Sequence, residues 1–347
     1  MSFPHGVQYA IWAAVLFGST TPVAKYLIQE IHPVLMAAIF YLGSGFGLLI
    51  VRFLSGSVLN EAPISKSNYP WLFGAVFSGG ILAPVLLMTG LKLTPASSAS
   101  LLLNLEGVFT ALLAWIVFKE NFDRRIASGM ILIVIGGAIL TCQNELRVEI
   151  SWGSILILLA CLFWGIDNNF TQKVSSNDPY QVASIKGISA GIFNLALSFI
   201  LGVPFCSPGK ALFGIIIGFL GYGLSLALFV MALRHIGTAR TGAYFSIAPF
   251  WGTILSIVIL NEKISSSLIL SGAFMFAGIW LHLTESHDHV HEHSDLQHDH
   301  KHVHDEHHAH EHNEHEMQPS EHSHMHFHGK LIHSHGHYPD IHHRHEH

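Results

Sequence analysis

The stretch GLKLTPASSASLLLNLEGVFTALLAWIVFKENF, residues 90–122, is matched without a gap by ALRHIGTARTGAYFSIAPFWGTILSIVILNEKI, residues 232–264. The displacement of 142 residues sets Lys92 on Arg234, Ser97 on Ala239 and Glu120 on Glu262. Each stretch carries an apolar run long enough to cross a hydrocarbon core of about 30 Å, which takes roughly 20 helical residues. A second match lies upstream. LFGSTTPVAKYL (16–27) resembles LFWGIDNNFTQKV (162–174) if one residue is inserted, and Pro33 then matches Pro179. Chance similarity between apolar helices is the competing explanation, but matched charges and prolines are hard to obtain from composition alone.

Outward from these stretches, ten apolar runs follow one another: 7–27, 33–54, 70–91, 96–118, 126–142, 152–172, 181–203, 211–232, 238–260 and 265–284. Lipid offers no partner to backbone N–H and C=O, so the runs are expected as helices. The breaks carry turn chemistry, as in Asn177-Asp178-Pro179 and Ser207-Pro208-Gly209. The run from Val7 lacks a charged leader and a cleavage pattern, so it is expected as a first helix and not a signal peptide. Two copies of five helices imply that the second is inserted upside down, because five is odd. The expected fold is an all-α membrane protein of ten transmembrane helices, with inverted repeats over 7–142 and 152–284 and a disordered tail from 285 to 347. Inverted repeats mark secondary transporters, whose substrate site lies near the midplane between the halves.

Charge divides the chain in the same place. Up to Glu285 there are 14 Lys and Arg against 11 Asp and Glu; beyond it there are 3 against 12. With the N-terminus cytoplasmic, Arg52, Lys66, Lys119, Arg124, Arg125, Lys173, Arg234 and Arg240 fall inside, and Lys92, Arg147, Lys210 and Lys263 outside. Both termini are then cytoplasmic, at an inner or plasma membrane. No basic stripe suggests nucleic acid. Cys142, Cys161 and Cys206 form no CxxC pair. No GxxxxGK[ST] loop and no nucleophile–base constellation occurs, so a gradient-driven carrier is expected and an enzyme is not.

The starts FGSTTPVAK and FWGIDNNFTQK, together with the helices that end at Glu120 and Glu262, resemble the drug/metabolite transporter superfamily in its EamA-type branch, over residues ~8–284. The resemblance implies ten helices, termini inside and a small-metabolite substrate, without naming one. Two departures stand out. Where the second half has Pro249 in mid-helix, the first has Glu106-Gly107. The basic residue early in the second helix of a half is present as Lys186, against Phe40 or Tyr41 in the first half.

Glu106 is the leading candidate, because an acid halfway along a membrane helix is costly by about 2.5–3.5 kcal/mol. It fits a proton-coupling carboxylate, a cation ligand or the counter-charge to an amine, with a structural pair to a lysine as the plain alternative. Asn104 shares a face with Ser97, Ser100 and Gly107, about 200° from Glu106 on a regular helix, so both line one cavity only if the helix is irregular. Irregularity is expected near Gly107 and Pro249. Asp167, Asn168 and Asn169 sit in helix 6 and Lys186 in helix 7, where Asp167 and Lys186 fit an ion pair. Lys25 is a candidate at the outer end of helix 1, with snorkelling to the interface as its alternative. Tyr244 and Ser246 offer hydroxyls before Pro249. Glu120 and Glu262 are expected to orient the turns after their helices. Glycine pairs such as Gly187/Gly191 suit close packing inside the bundle, or a homodimer.

The tail holds 24 histidines from His287 onward, many in H-x-H runs. The candidate metal ligands are His287, His289, His291, His293, His298, His300, His302, His304, His322, His324, His326, His328, His333, His335 and His337. Neutral imidazole suits Zn, Ni, Co and Cu, so a divalent transition metal is the expected guest. The alternative is a pH-responsive polyanion. Three functions follow: a carrier of a small organic metabolite with a metal-binding tail, a divalent transition-metal carrier, and a non-transporting scaffold. Outside the tail the histidines are His5, His32, His235 and His282, all near helix ends. That distribution ranks the organic solute first.

Overall fold

Long apolar runs without charge dictate helices, and the computed structural model resolves them as such. It describes residues 5–54, 64–118, 124–142, 151–174 and 178–283, and short segments of the tail at 288–293, 296–302, 322–328 and 331–336. The helices are α1 (His5–Leu27), α2 (Pro33–Leu54), α3 (Tyr69–Ala75), α4 (Ala83–Leu93), α5 (Ala96–Leu102), α6 (Leu105–Phe118), α7 (Arg124–Thr141), α8 (Trp152–Lys173), α9 (Pro179–Ile200), α10 (Pro208–Gly218), α11 (Ser225–Phe245), α12 (Ala248–Leu260) and α13 (Ser266–Leu283). Among the described residues, 7 helical runs are long and apolar enough to cross a membrane, and α12 is a shorter apolar helix. Phe53 and Ile200 are each 81% exposed. Large apolar side chains left so open have lipid, not water, as their natural surroundings.

Contacts sort the helix ends onto two faces. At one face Glu30, beyond α1, pairs with Lys210 at the start of α10. At the other, Arg52 near the end of α2 meets Asp178 at 2.8 Å. Asp178 also accepts from the backbone N–H of Tyr180 (2.9 Å) and Gln181 (3.2 Å), so one carboxylate caps α9 and ties it to α2.

Two irregularities recur at positions related by the 142-residue displacement. Val76–Leu82 and Phe219–Leu224 are π-helical: Ala83 N–H reaches back to Ser78 O, and Ser225 N–H to Leu220 O. The helices then break at Leu103–Asn104 and at Ser246–Ile247. These breaks lie about one turn ahead of Gly107 and Pro249, where irregularity is expected. Proline belongs in the first turn of a helix, and Pro249 occupies that place in α12. The turn expected at 233–237 falls inside α11. The rings of Phe229 and Phe245 lie 4.8 Å apart; a straight helix would separate them by about 24 Å. The chain therefore reverses between them.

Inside the bundle, small residues let backbones touch. A Cβ on Gly45 would meet Ile188 N at 2.5 Å, and one on Gly187 would meet Gly45 N at 2.6 Å. The α2–α9 contact thus consumes the glycine pairs within this bundle. The tail is described as backbone pairing. Asp288–His293 runs antiparallel to Leu331–Gly336, and Leu296–His302 to His322–His328. The H-x-H alternation has the period of a strand.

Gly187→Leu is expected to lower stability by about 1–3 kcal/mol through overpacking, read as a fall in melting temperature of the purified protein. Gly107→Ala, where an added Cβ meets nothing within 4 Å, should leave it within the error.

Candidate functional site

The break between α5 and α6 begins the site. Leu103 N–H and Asn104 N–H bond back three residues, to Ser100 O (3.2 Å) and Leu101 O (3.0 Å), and Glu106 N–H does the same to Leu103 O (3.1 Å). This tight turn starts α6 afresh and places Glu106 in its first turn. Asn168 Nδ2, from α8, donates to Glu106 Oε1 at 2.8 Å and to Thr110 Oγ1 at 3.2 Å. Asn169 Nδ2 donates to Thr110 O (3.1 Å) and Gly165 O (2.8 Å), locking α8 onto α6. Gly107 and Asn168 are exposed.

Behind the carboxylate lies a buried ion pair. Lys186 Nζ is 2.6 Å from Asp167 Oδ1. Thr171 Oγ1 accepts from Lys186 at 3.0 Å and donates to Asp167 at 2.9 Å. Both charges stand in electrostatic reach of Glu106. The pair packs on Gly79 of the first π segment, where any Cβ would strike the Asp167 carboxylate. Gly79 O accepts from Tyr41 OH (2.7 Å) and Trp164 Nε1 (3.0 Å). Gly80 O accepts from Asn194 (3.1 Å).

An aromatic cluster gathers around Tyr222. Tyr222, in the second π segment, packs on Phe17 (ring centroids 5.9 Å), Phe40 (5.7 Å) and Tyr41 (5.5 Å), and Phe17 also meets Phe245 (5.5 Å). The hydroxyls of Tyr41 and Tyr222 feel the charge of Glu106. The arrangement joins one carboxylate, one amide and one internally neutralised ion pair to a broad aromatic surface. It suits an amphipathic solute carrying a positive group.

The structure therefore brings together Glu106, Asp167, Asn168, Asn169 and Lys186. It sends Asn104 elsewhere: its amide donates to Leu101 O (3.1 Å) and faces Met275 Sδ (3.6 Å). Tyr244 is half-buried next to the second break. Lys25 does not snorkel to the interface as the sequence alternative has it. Its ammonium donates to Leu91 O (2.6 Å), Thr94 O (2.7 Å) and Lys92 O (3.4 Å), capping the end of α4. Glu262 serves the other half of the chain and not its own turn: its oxygens accept from Ala96 N–H (2.7 Å) and Ser97 N–H (2.8 Å). Glu120 lies outside the described residues, as do His287, His304 and His337; the remaining tail candidates fall on strands described by their backbone. Among the described residues, no three His, Cys, Asp or Glu side chains gather in a way that could hold a metal. Tyr41, Trp164, Tyr222, Thr110 and Thr171 escaped the sequence reading. The signal that could have found Tyr222 is its place between Gly221 and Gly223 in a spanning run.

Removing one partner of the buried pair leaves a charge without compensation, at a cost of about 3–5 kcal/mol. Asp167→Asn and Lys186→Met should each lower the melting temperature, and the double variant should recover most of the loss.

A family model described as the EamA-like transporter family matches the chain twice, over residues 4–142 and 151–284. An uncharacterized transporter of Methanothermobacter thermautotrophicus is 29% identical over 287 residues, 78% of this chain and 84% of that protein. The uncharacterized transporter YyaM of Bacillus subtilis is 23% identical, over 77% of this chain and 91% of its own. A probable amino-acid metabolite efflux pump of Salmonella typhimurium is 24% identical, over 79% and 93%. A solved crystal structure superposes with a TM-score of 0.61 at 16% identity, covering 81% of this chain and 96% of its own, a likeness of fold.

Proposed function

The chain belongs to the EamA-like transporter family, and from that premise we propose that it is a gradient-driven secondary transporter of a small organic metabolite bearing a protonated amine. It is a multi-pass integral membrane protein. The observation that carries the substrate reading is Glu106, a carboxylate at a helix break, held by Asn168 and in electrostatic reach of the Tyr41 and Tyr222 hydroxyls. An ammonium group is attracted both to a carboxylate and to aromatic faces. The name of the Salmonella relative, an amino-acid metabolite efflux pump, favours the same class of solute. The double family match and the recurrence of π segments and breaks support two repeats of five helices, inverted across the membrane, ten helices in all. Alternating access then arises by rocking one repeat against the other. Both termini are assigned to the cytoplasm, at the inner or plasma membrane.

The tail has its own proposed role, binding Zn, Ni, Co or Cu as a buffer or sensor. What supports it is register: His289 stands opposite His335, His291 opposite His333, His298 opposite His326, His300 opposite His324 and His302 opposite His322. Adjacent strands lie about 4.8 Å apart, so the backbones bring imidazole-bearing positions together. This density of ligands also favours a second reading, in which the transported species is itself a divalent transition metal.

Proteoliposomes containing the full-length protein, loaded and challenged with labelled amines, amino acids, Zn²⁺, Ni²⁺ and Co²⁺ with and without a pH gradient, separate the two. The first reading expects gradient-dependent flux of an amine-bearing solute that falls at least about tenfold in Glu106→Gln, the equivalent of about 1.4 kcal/mol. Metal flux lost in the same variant would establish the second. Unchanged organic flux in Glu106→Gln at every pH would remove the carboxylate from the mechanism.

A further inference from the structure

We propose that Lys25 and Glu262 form a state-dependent lock that holds the α4–α5 turn closed at the face where α1 ends. The proposal rests on the transporter reading, because a lock of this kind has a purpose only in a protein that opens alternately to two sides.

The turn between α4 and α5 is the part that is locked. It is short, Thr94-Pro95, and both of its ends are held by charged side chains from elsewhere in the chain. On the carbonyl side, Lys25 of α1 takes Leu91 O, Thr94 O and Lys92 O at 2.6, 2.7 and 3.4 Å. On the N–H side, Glu262 takes Ala96 N and Ser97 N at 2.7 and 2.8 Å. The end of a helix presents partial negative charge and its beginning partial positive charge, so an ammonium and a carboxylate are the matching partners. Glu262 is delivered by Asn261, whose left-handed backbone (φ 51°) ends α12. Thr253 of α12 adds a hydrogen bond to Ser97 O at 3.1 Å. Lys25 and Glu262 also attract each other directly.

The position of this cluster gives it control. α5 runs from the clamp to the break beside Glu106, and α1 and α12 flank it. Gly18 and Gly252 let α1 and α12 touch: a Cβ on Gly252 would lie 2.7 Å from Gly18 O. Charged clamp and glycine contact together hold α1, α5 and α12 against one another at this face. Opening here requires the α4–α5 turn to leave α12, which breaks the two Glu262 hydrogen bonds while the helices remain intact. A seal made of two charge-assisted hydrogen bonds can be broken reversibly.

The test uses the full-length protein in sealed proteoliposomes of known orientation. Cys142, Cys161 and Cys206 are replaced by serine or alanine, and Gly107→Cys serves as reporter, since nothing lies within 4 Å of an added Cβ there. A membrane-impermeant thiol reagent is applied from the face bearing Glu262. The proposal expects Glu262→Gln and Lys25→Met each to raise the labelling rate roughly tenfold, the effect of losing about one charge-assisted hydrogen bond. Unchanged labelling in folded Glu262→Gln and Lys25→Met protein would overturn the proposal. So would failure of both Glu262→Gln and Lys25→Met to fold, because the clamp is then a fixed joint. Labelling needs no transported solute, so a failure here is distinct from a failure of the flux experiment.

Discussion

Hydrocarbon cannot hydrogen-bond, so every backbone group freed inside the membrane must find its partner within the protein. The rest of the structure follows from how this chain meets that demand while keeping its helices broken. At the first break, Leu101 O takes the Asn104 amide as well as a backbone N–H. At the first π segment, Gly79 O takes Tyr41 and Trp164, and Gly80 O takes Asn194. At the α4–α5 turn, Lys25 serves the carbonyls and Glu262 the N–H groups. Irregular backbone at membrane depth is tolerated only where it is buried in protein or lines a cavity, and here it does both.

The two halves use one scaffold for different chemistry. Glu106 in the first half corresponds to Ala248 in the second, Lys186 to Phe40 and Asp167 to Thr20. Thr20 lies against Gly221 of the second π segment as Asp167 lies against Gly79 of the first. Ionisable groups therefore collect at the first π segment, while Phe17, Phe40 and Tyr222 gather at the second. A single repeated backbone thus yields an amphipathic site, which suits a solute with a charged group and an apolar body. The buried Asp167–Lys186 pair cancels its own charge, leaving Glu106 to set the sign of the site.

Much of this was legible in the sequence. The runs 33–54 and 152–172 reappear as α2 and α8 within a residue, because their ends carry proline or serine caps. Glu106 stands out by its cost in lipid, and Asp167 and Lys186 by their opposite signs. Other features have no local signature. Asn104 turns toward Met275 because the chain tightens before Glu106, which helical spacing cannot anticipate. Lys25 and Glu262 act on a turn far away in the chain, so their partners depend on tertiary packing. The π segments are marked by Gly79-Gly80 and Gly221-Tyr222-Gly223, glycines that read equally well as packing contacts. In the tail, low apolar content argued for disorder, while the two-residue alternation that was read for its ligands also has the strand period.

The central claim is that the helices of the two halves are broken at equivalent places, Leu103–Asn104 and Ser246–Ile247. Hydrogen–deuterium exchange of the full-length protein in nanodiscs, resolved by mass spectrometry to single residues across 96–118 and 241–260, tests it directly. The account predicts fast exchange at residues 103–107 and 245–248, flanked on both sides by protected helix. Uniform protection across both segments, as in unbroken helices packed against lipid and protein, would contradict it.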